Sequence, residues 1–139
     1  MRAIMLIDDD ADTRMAIRDF LTAEGFVVHT AREGQHALHM LEKMDPPDLI
    51  LLDYKMPVMD GKQFLAIQRR TPRLENIPVV ILSAATREWS GAHLEVDEVL
   101  SKPVDLEALL GVVNQIFAPP PPPTPPPAPA PAPASRERL

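Results

Sequence analysis

Five short apolar runs punctuate the chain: Ala3–Ile7, Phe26–Thr30, Leu49–Leu52, Val79–Leu82 and, weaker, Val96–Leu100. Most are continuous rather than alternating, the pattern of strands buried on both faces of a parallel sheet. The stretches between them repeat apolar residues at helical spacing. Ile17, Phe20 and Leu21 form one stripe, rimmed by Glu24; Ala37, Leu38 and Leu41 form a second. Phe64, Leu65 and Ile67 form a third, with Gln68 placed outside it. Leu106, Leu109, Val113 and Ile116 give the last helix its buried face, and Asp105 stands as its N-cap or first-turn acid. Stops are legible as well, at Gly25, at Asp45-Pro46-Pro47 and at Thr71-Pro72. The alternation predicts an α/β fold of (βα)5 type, an open parallel sheet covered by helices. The interval Ala84–Leu94, with Thr86, Ser90 and Gly91, shows no clean stripe, so a short or irregular fourth helix is expected there.

The pattern stops at Ala118. Eleven of the 17 prolines fall between Pro119 and Pro133, and the chain closes on Ser135-Arg136-Glu137-Arg138-Leu139. Such a composition buries no core and predicts an extended, disordered tail over 119–139 behind one globular domain over 1–118. A domain of that length holds one ordinary core. The formal net charge is −6, and because the tail contributes +1 the domain carries −7. That balance argues against nucleic acid or an anionic membrane as partner and suits cations or a basic protein surface. With no cysteine, disulfides, zinc–thiolate sites and thiol nucleophiles are excluded. The first residues are too few in apolar side chains for a secretory signal, and no run reaches the ~18 apolar residues of a spanning helix, so a cytoplasmic location is expected.

Candidate chemistry collects at the ends of the apolar runs. Asp8, Asp9 and Asp10 follow the first, Asp53 closes the third, Ser83 follows the fourth, and Ser101-Lys102-Pro103 ends the fifth. In an open α/β sheet these are carboxyl ends of strands, where ligands bind. Clustered carboxylates repel one another unless a cation intervenes. Oxygen ligands without His or Cys point to Mg²⁺, with Mn²⁺ as the alternative. His36 and His39, three apart on a helix, form a second conceivable metal pair, but no acid obviously converges on them.

Four stretches carry a resemblance: Leu6-Ile7-Asp8-Asp9-Asp10, Leu51-Leu52-Asp53-Tyr54-Lys55-Met56-Pro57-Val58-Met59-Asp60-Gly61, Ile81-Leu82-Ser83-Ala84 and Leu100-Ser101-Lys102-Pro103. They resemble the response-regulator receiver family of two-component signalling, over Met1 to about Phe117. The resemblance implies a flavodoxin-like strand order 2-1-3-4-5 and a cis Lys102-Pro103 bond. It implies that Asp53 is the phosphoacceptor, that Asp8 and Asp9 hold Mg²⁺ together with Asp53 and the Lys55 backbone carbonyl, and that Ser83 and Lys102 bind phosphoryl oxygens. The donor implied is a histidine kinase or a histidine phosphotransfer protein, and the recipient of the signal an unspecified protein target. Such a protein catalyses its own phosphorylation and dephosphorylation and is not a turnover enzyme.

Three features depart from the family pattern. Val99 stands where an aromatic residue is usual, three positions before the lysine. Ser83 and Lys102 are closer by ~3 residues, nearly one helical turn. Only the proline tail follows, so a stand-alone switch or phosphorelay shuttle without a DNA-binding output domain is expected. Two rivals share parts of the pattern. A flavodoxin-like cofactor binder wants hydroxyls and glycines after the first strand, where three aspartates would repel a phosphate. A haloacid-dehalogenase-type phosphatase wants an acid two residues past its nucleophile, and Lys55 occupies that place.

Overall fold

The structure is a computed structural model and describes residues 2–84 and 96–118. Five strands, β1 (Ala3–Ile7), β2 (Val27–Ala31), β3 (Leu49–Asp53), β4 (Val79–Ser83) and β5 (Glu98–Ser101), pair in parallel in the order β2-β1-β3-β4-β5. Four helices are described: α1 (Ala11–Ala23), α2 (Gly34–Leu41), α3 (Gly61–Arg69) and α4 (Leu106–Phe117). The interval expected to hold a short or irregular fourth helix lies almost wholly outside the described residues, as does the tail beyond Ala118.

The continuous apolar runs have a simple cause. Successive side chains of a strand point to opposite faces. Met5, Ile7, Ile50, Leu52, Val79 and Ile81 pack on one side with Ala37 and Leu41 of α2 and Phe64 and Leu65 of α3. Ile4, Leu6, Leu49, Leu51, Val80 and Leu82 pack on the other with Ile17 and Leu21 of α1 and Leu109 and Val113 of α4. Every residue of β3 and β4 is therefore buried. β5, at the sheet edge, is at most half-buried, which is why its run was the weakest.

Each helix opens on an acidic cap, Asp10, Glu33, Asp60 and Asp105, whose carboxylate accepts from first-turn N–H groups and complements the helix dipole. Asp60 and Gln63 complete a reciprocal capping box. Gly25 takes φ 100 after α1, a left-handed stop. α2 ends at Leu41, earlier than its Asp45-Pro46-Pro47 stop, and the Arg73 guanidinium satisfies carbonyls left open there, donating to Leu41 O at 2.6 Å and Met44 O at 2.9 Å.

Gln68 overturns its expected place outside the α3 stripe: it is fully buried. Its Nε2 donates to Leu74 O at 2.8 Å and Ile77 O at 3.1 Å, satisfying carbonyls that the 70–78 loop turns inward. Gly111 is the opposite case. It sits exposed in the middle of α4 with open space where a Cβ would be. Gly111→Ala is expected to raise stability by about 1 kcal/mol through helix propensity alone, checked by urea unfolding.

Candidate functional site

The sheet register sets out the site. Ile7 pairs with Leu52, so Asp8 and Asp53 follow at the same level on adjacent central strands. Asp53 pairs with Leu82, and Ser83 is one residue beyond. Ser83 pairs with Ser101, and the Lys102 N–H donates to Ser83 O at 2.8 Å, extending the ladder. The Lys102-Pro103 peptide is cis, as the resemblance implied.

Asp8, Asp9 and Asp53 bring carboxylate oxygens within 4.8 Å of one another, the one such metal-capable group among the described residues. Asp8 is fully buried, Asp53 is 4% exposed and Asp9 is exposed. The Lys102 ammonium lies 3.0 Å from Asp8 Oδ2 and 3.3 Å from Asp53 Oδ1. Asp8 Oδ1 accepts from Asp10 N at 2.9 Å. Asp8 Oδ2 makes no aligned hydrogen bond, and the ion pair with Lys102 is its compensation. Among the described residues, three acids against one lysine leave the pocket short of positive charge. Burial first, then the Asp9 carboxyl and the charge of Asp8, push the Asp53 carboxyl up to about 7 against the pull of Lys102. Burial pulls the Lys102 ammonium down, but Asp8 and Asp53 outweigh it and the net displacement is upward. An all-oxygen donor set with an under-compensated buried carboxylate fits a hard divalent cation.

Not every acid of the triplet joins the cluster. Asp10 caps α1 instead, accepting from the Thr13 hydroxyl and from Thr13 N, and the hydroxyl bond holds its carboxyl below the usual range. Arg14, absent from the expected set, donates from Nη1 to Asp8 O at 2.8 Å and ties α1 to the turn that bears the acids. Lys55 lies exposed in the loop after β3. That loop is tight: Val58 takes φ 70, and Met59 N donates to Pro57 O at 2.7 Å across it. For a β-branched residue this conformation costs roughly 1–2 kcal/mol. Gly61 closes the loop, since a Cβ there would lie 2.9 Å from Tyr54 Cα. His36 Nδ1 accepts from Arg32 N at 3.3 Å, and neither His36 nor His39 belongs to the metal-capable group. Trp89 lies outside the described residues. A groove of about 500 Å³ opens beside Lys102, between Thr13, Ala16 and Ile17 of α1 and Pro103, Val104 and Leu106.

The family profile described as the response regulator receiver domain matches residues 4–114. The chain belongs to the response-regulator receiver family. Among relatives, it is 36% identical over 115 residues to a 14.6 kDa protein from the sodA1 3′ region of Leptolyngbya boryana, covering 81% of this chain and 87% of that one. It is 34% identical to the transcriptional regulatory protein CpxR of Escherichia coli K12 over 119 residues, 84% of this chain but 49% of that protein. The chain thus spans about half the length of the transcriptional regulators it matches. Among solved structures it resembles Vibrio cholerae chemotaxis protein CheY4, with TM-score 0.77, 28% identity and coverage of 84% of this chain and 99% of that one. The receiver domain of Francisella response regulator 1452 superposes with TM-score 0.74 at 29% identity, covering 84% and 96%. Receiver domains interact with histidine kinases or phosphotransfer proteins. Among the described residues, no helix of this receiver is long and apolar enough to cross a membrane.

Proposed function

We propose that this receiver domain takes a phosphoryl group from a phosphohistidine onto Asp53 and acts as a phosphorylation-dependent protein–protein switch. The observation that carries the reading is the buried Asp8–Lys102–Asp53 arrangement at the strand ends, with Asp9 beside it. A carboxylate oxygen of Asp53 attacks phosphorus in line as the P–N bond to the donor imidazole breaks, and that imidazole retains the electron pair and picks up a proton. Asp8, Asp9, Asp53 and the Lys55 carbonyl are the residues that would hold Mg²⁺, which supplies positive charge against the transferring oxygens. Lys102 pairs with one phosphoryl oxygen, and the Ser83 hydroxyl bonds another. Water then cleaves the acyl phosphate and restores the carboxylate, so the domain acts upon itself rather than turning over a substrate.

The groove beside Lys102 gives a histidine-bearing partner an apolar seat within reach of Asp53. Output follows a different route from a ring-flip. Val99, half-buried against the α2–α3 side of the core, is small and stiff at χ1 and has no second position to swing into. The signal therefore passes through the Ser83 end of β4 and the loops rimming Asp53.

Acetyl phosphate with Mg²⁺ tests the reading: intact mass should rise by one phosphoryl group and stay unchanged with chelator. Asp9→Ala should lose Mg²⁺ binding by calorimetry and lose labelling, while remaining at least as stable as wild type, because one of several clustered like charges is gone. Undiminished Mg²⁺ affinity in Asp9→Ala would refute the acidic-pocket assignment.

A further inference from the structure

The loop over residues 54–60 joins Asp53 to α3; Met56 anchors it in the core beside Lys55, and it is fastened at two further places. At its end, Gly61 approaches β3 so closely that a Cβ would meet Tyr54 Cα at 2.9 Å and Asp53 O at 3.2 Å. Before that, Met59 rests on the start of α2: a Cβ on Gly34 would meet Met59 Sδ at 2.9 Å, Cγ at 3.1 Å and Cβ at 3.3 Å. Gly34 is the first residue of α2 and is buried. Between Lys55 and these fixings lies Val58, left-handed and 78% exposed. An exposed β-branched side chain has no packing of its own to hold such a backbone, so the neighbours impose it. Of the two chain neighbours of Val58, Pro57 is exposed and Met59 packs against the core.

We propose that Gly34 and Met59 act together as positioning residues for the phosphoryl site. The bare backbone of Gly34 admits the Met59 side chain, and Met59 so seated fixes the loop that carries the Lys55 carbonyl past Asp53. The inference rests on the metal-binding reading above and places a determinant in α2, which supplies none of the acidic residues. Helix propensity alone predicts the opposite sign. Ala for Gly at a helical position is stabilising, as expected at the unobstructed Gly111. At Gly34 the added methyl would displace Met59 Sδ and crowd its Cγ and Cβ by a few tenths of an ångström, so the strain reaches the root of the side chain and, through it, the loop.

Calorimetric titration of the full chain with Mg²⁺ tests this, using wild type, Gly34→Ala, Met59→Ala, the double variant and Gly111→Ala, with urea unfolding alongside. Gly34→Ala should raise the Mg²⁺ dissociation constant at least about tenfold, the range for residues that orient metal ligands. Met59→Ala should do likewise, and the double variant should bind no worse than Met59→Ala, since both act through one contact. Gly111→Ala should bind as wild type does. Wild-type affinity in Gly34→Ala, or losses that multiply in the double variant, would overturn the buttress and leave the metal site standing. If Gly34→Ala does not fold, unchanged affinity in Met59→Ala overturns it alone. A wild type that fails to bind Mg²⁺ overturns the metal reading and this proposal with it.

Discussion

Asp53→Asn is expected to abolish phosphoryl uptake and, at the same time, to stabilise the metal-free domain. The loss of uptake follows from chemistry, since an amide oxygen offers phosphorus no carboxylate nucleophile. The gain in stability follows from the cluster. In the unfolded chain Asp53 titrates near 3.8, and in the folded pocket it is raised to about 7. The folded state therefore binds the proton more tightly. The stability this contributes is fully present below pH 3.8 and is lost as pH rises through about 7. Such a displacement corresponds to on the order of 4 kcal/mol of charge burial that the metal-free wild type must carry above neutrality. That figure is already net of the pull of Lys102, and the Asp53→Asn variant carries none of it, so a gain of up to about 4 kcal/mol is expected near pH 8. Urea unfolding without Mg²⁺ should show the wild type losing stability between about pH 4 and pH 8 while Asp53→Asn stays nearly flat. Saturating Mg²⁺ should recover more stability in the wild type than in the variant, because a ligand stabilises only the state that binds it. Labelling of Asp53→Asn equal to wild type would remove Asp53 as the acceptor. A variant less stable than wild type near pH 8 would show that the ion pair outweighs the buried charge.

Much of this architecture was legible because one constraint acts on many residues. Strands buried on both faces must be apolar at every position, so β3 and β4 stand out as unbroken runs that end at Asp53 and Ser83. Chemistry at the carboxyl ends of parallel strands is then fixed by where each run stops, which is how Asp8, Asp53, Ser83 and Lys102 could be grouped across 95 positions of sequence. What was not legible depends on single contacts between distant backbones. Gln68 reads as a rim residue by its polarity, and only the inward carbonyls of Leu74 and Ile77 explain its burial. Asp10 was grouped with Asp8 and Asp9 as one acidic run but given no role of its own, although the Asp-x-x-Thr spacing to Thr13 already signalled a cap. Arg14 carried no signal, since a guanidinium bond to the Asp8 carbonyl has no sequence signature. The seat of Met59 on Gly34 is of the same kind. Glycine at a helix start is ordinary until another loop is seen lying on it.

Lys102→Ala should be the most destabilising single change at the site, and its cost should depend on pH and on metal. The ammonium is the cation set between Asp8, fully buried, and Asp53, nearly so. Removing one partner of a buried pair leaves the other charge uncompensated, a loss of about 3–5 kcal/mol in comparable settings. Two features of the pocket modulate that figure. Lys102 is the influence that pulls Asp53 down, so without it the Asp53 carboxyl rises further above about 7 and more readily keeps its proton. At about pH 5 the variant can therefore neutralise half of the problem, and the deficit should be small; at about pH 8 it should approach the full range. Mg²⁺ at the same oxygens should narrow the deficit, since three carboxylates without the lysine are a stronger cation site. The same variant should accept phosphoryl groups at Asp53 more slowly by ~10²-fold or more, having lost a fixed charge at the transferring oxygens. Urea unfolding at both pH values, with and without Mg²⁺, separates the causes. A deficit equal under all four conditions would mean that the lysine contributes through the packing of its aliphatic stem beside Pro103 and Val104, and not through its charge.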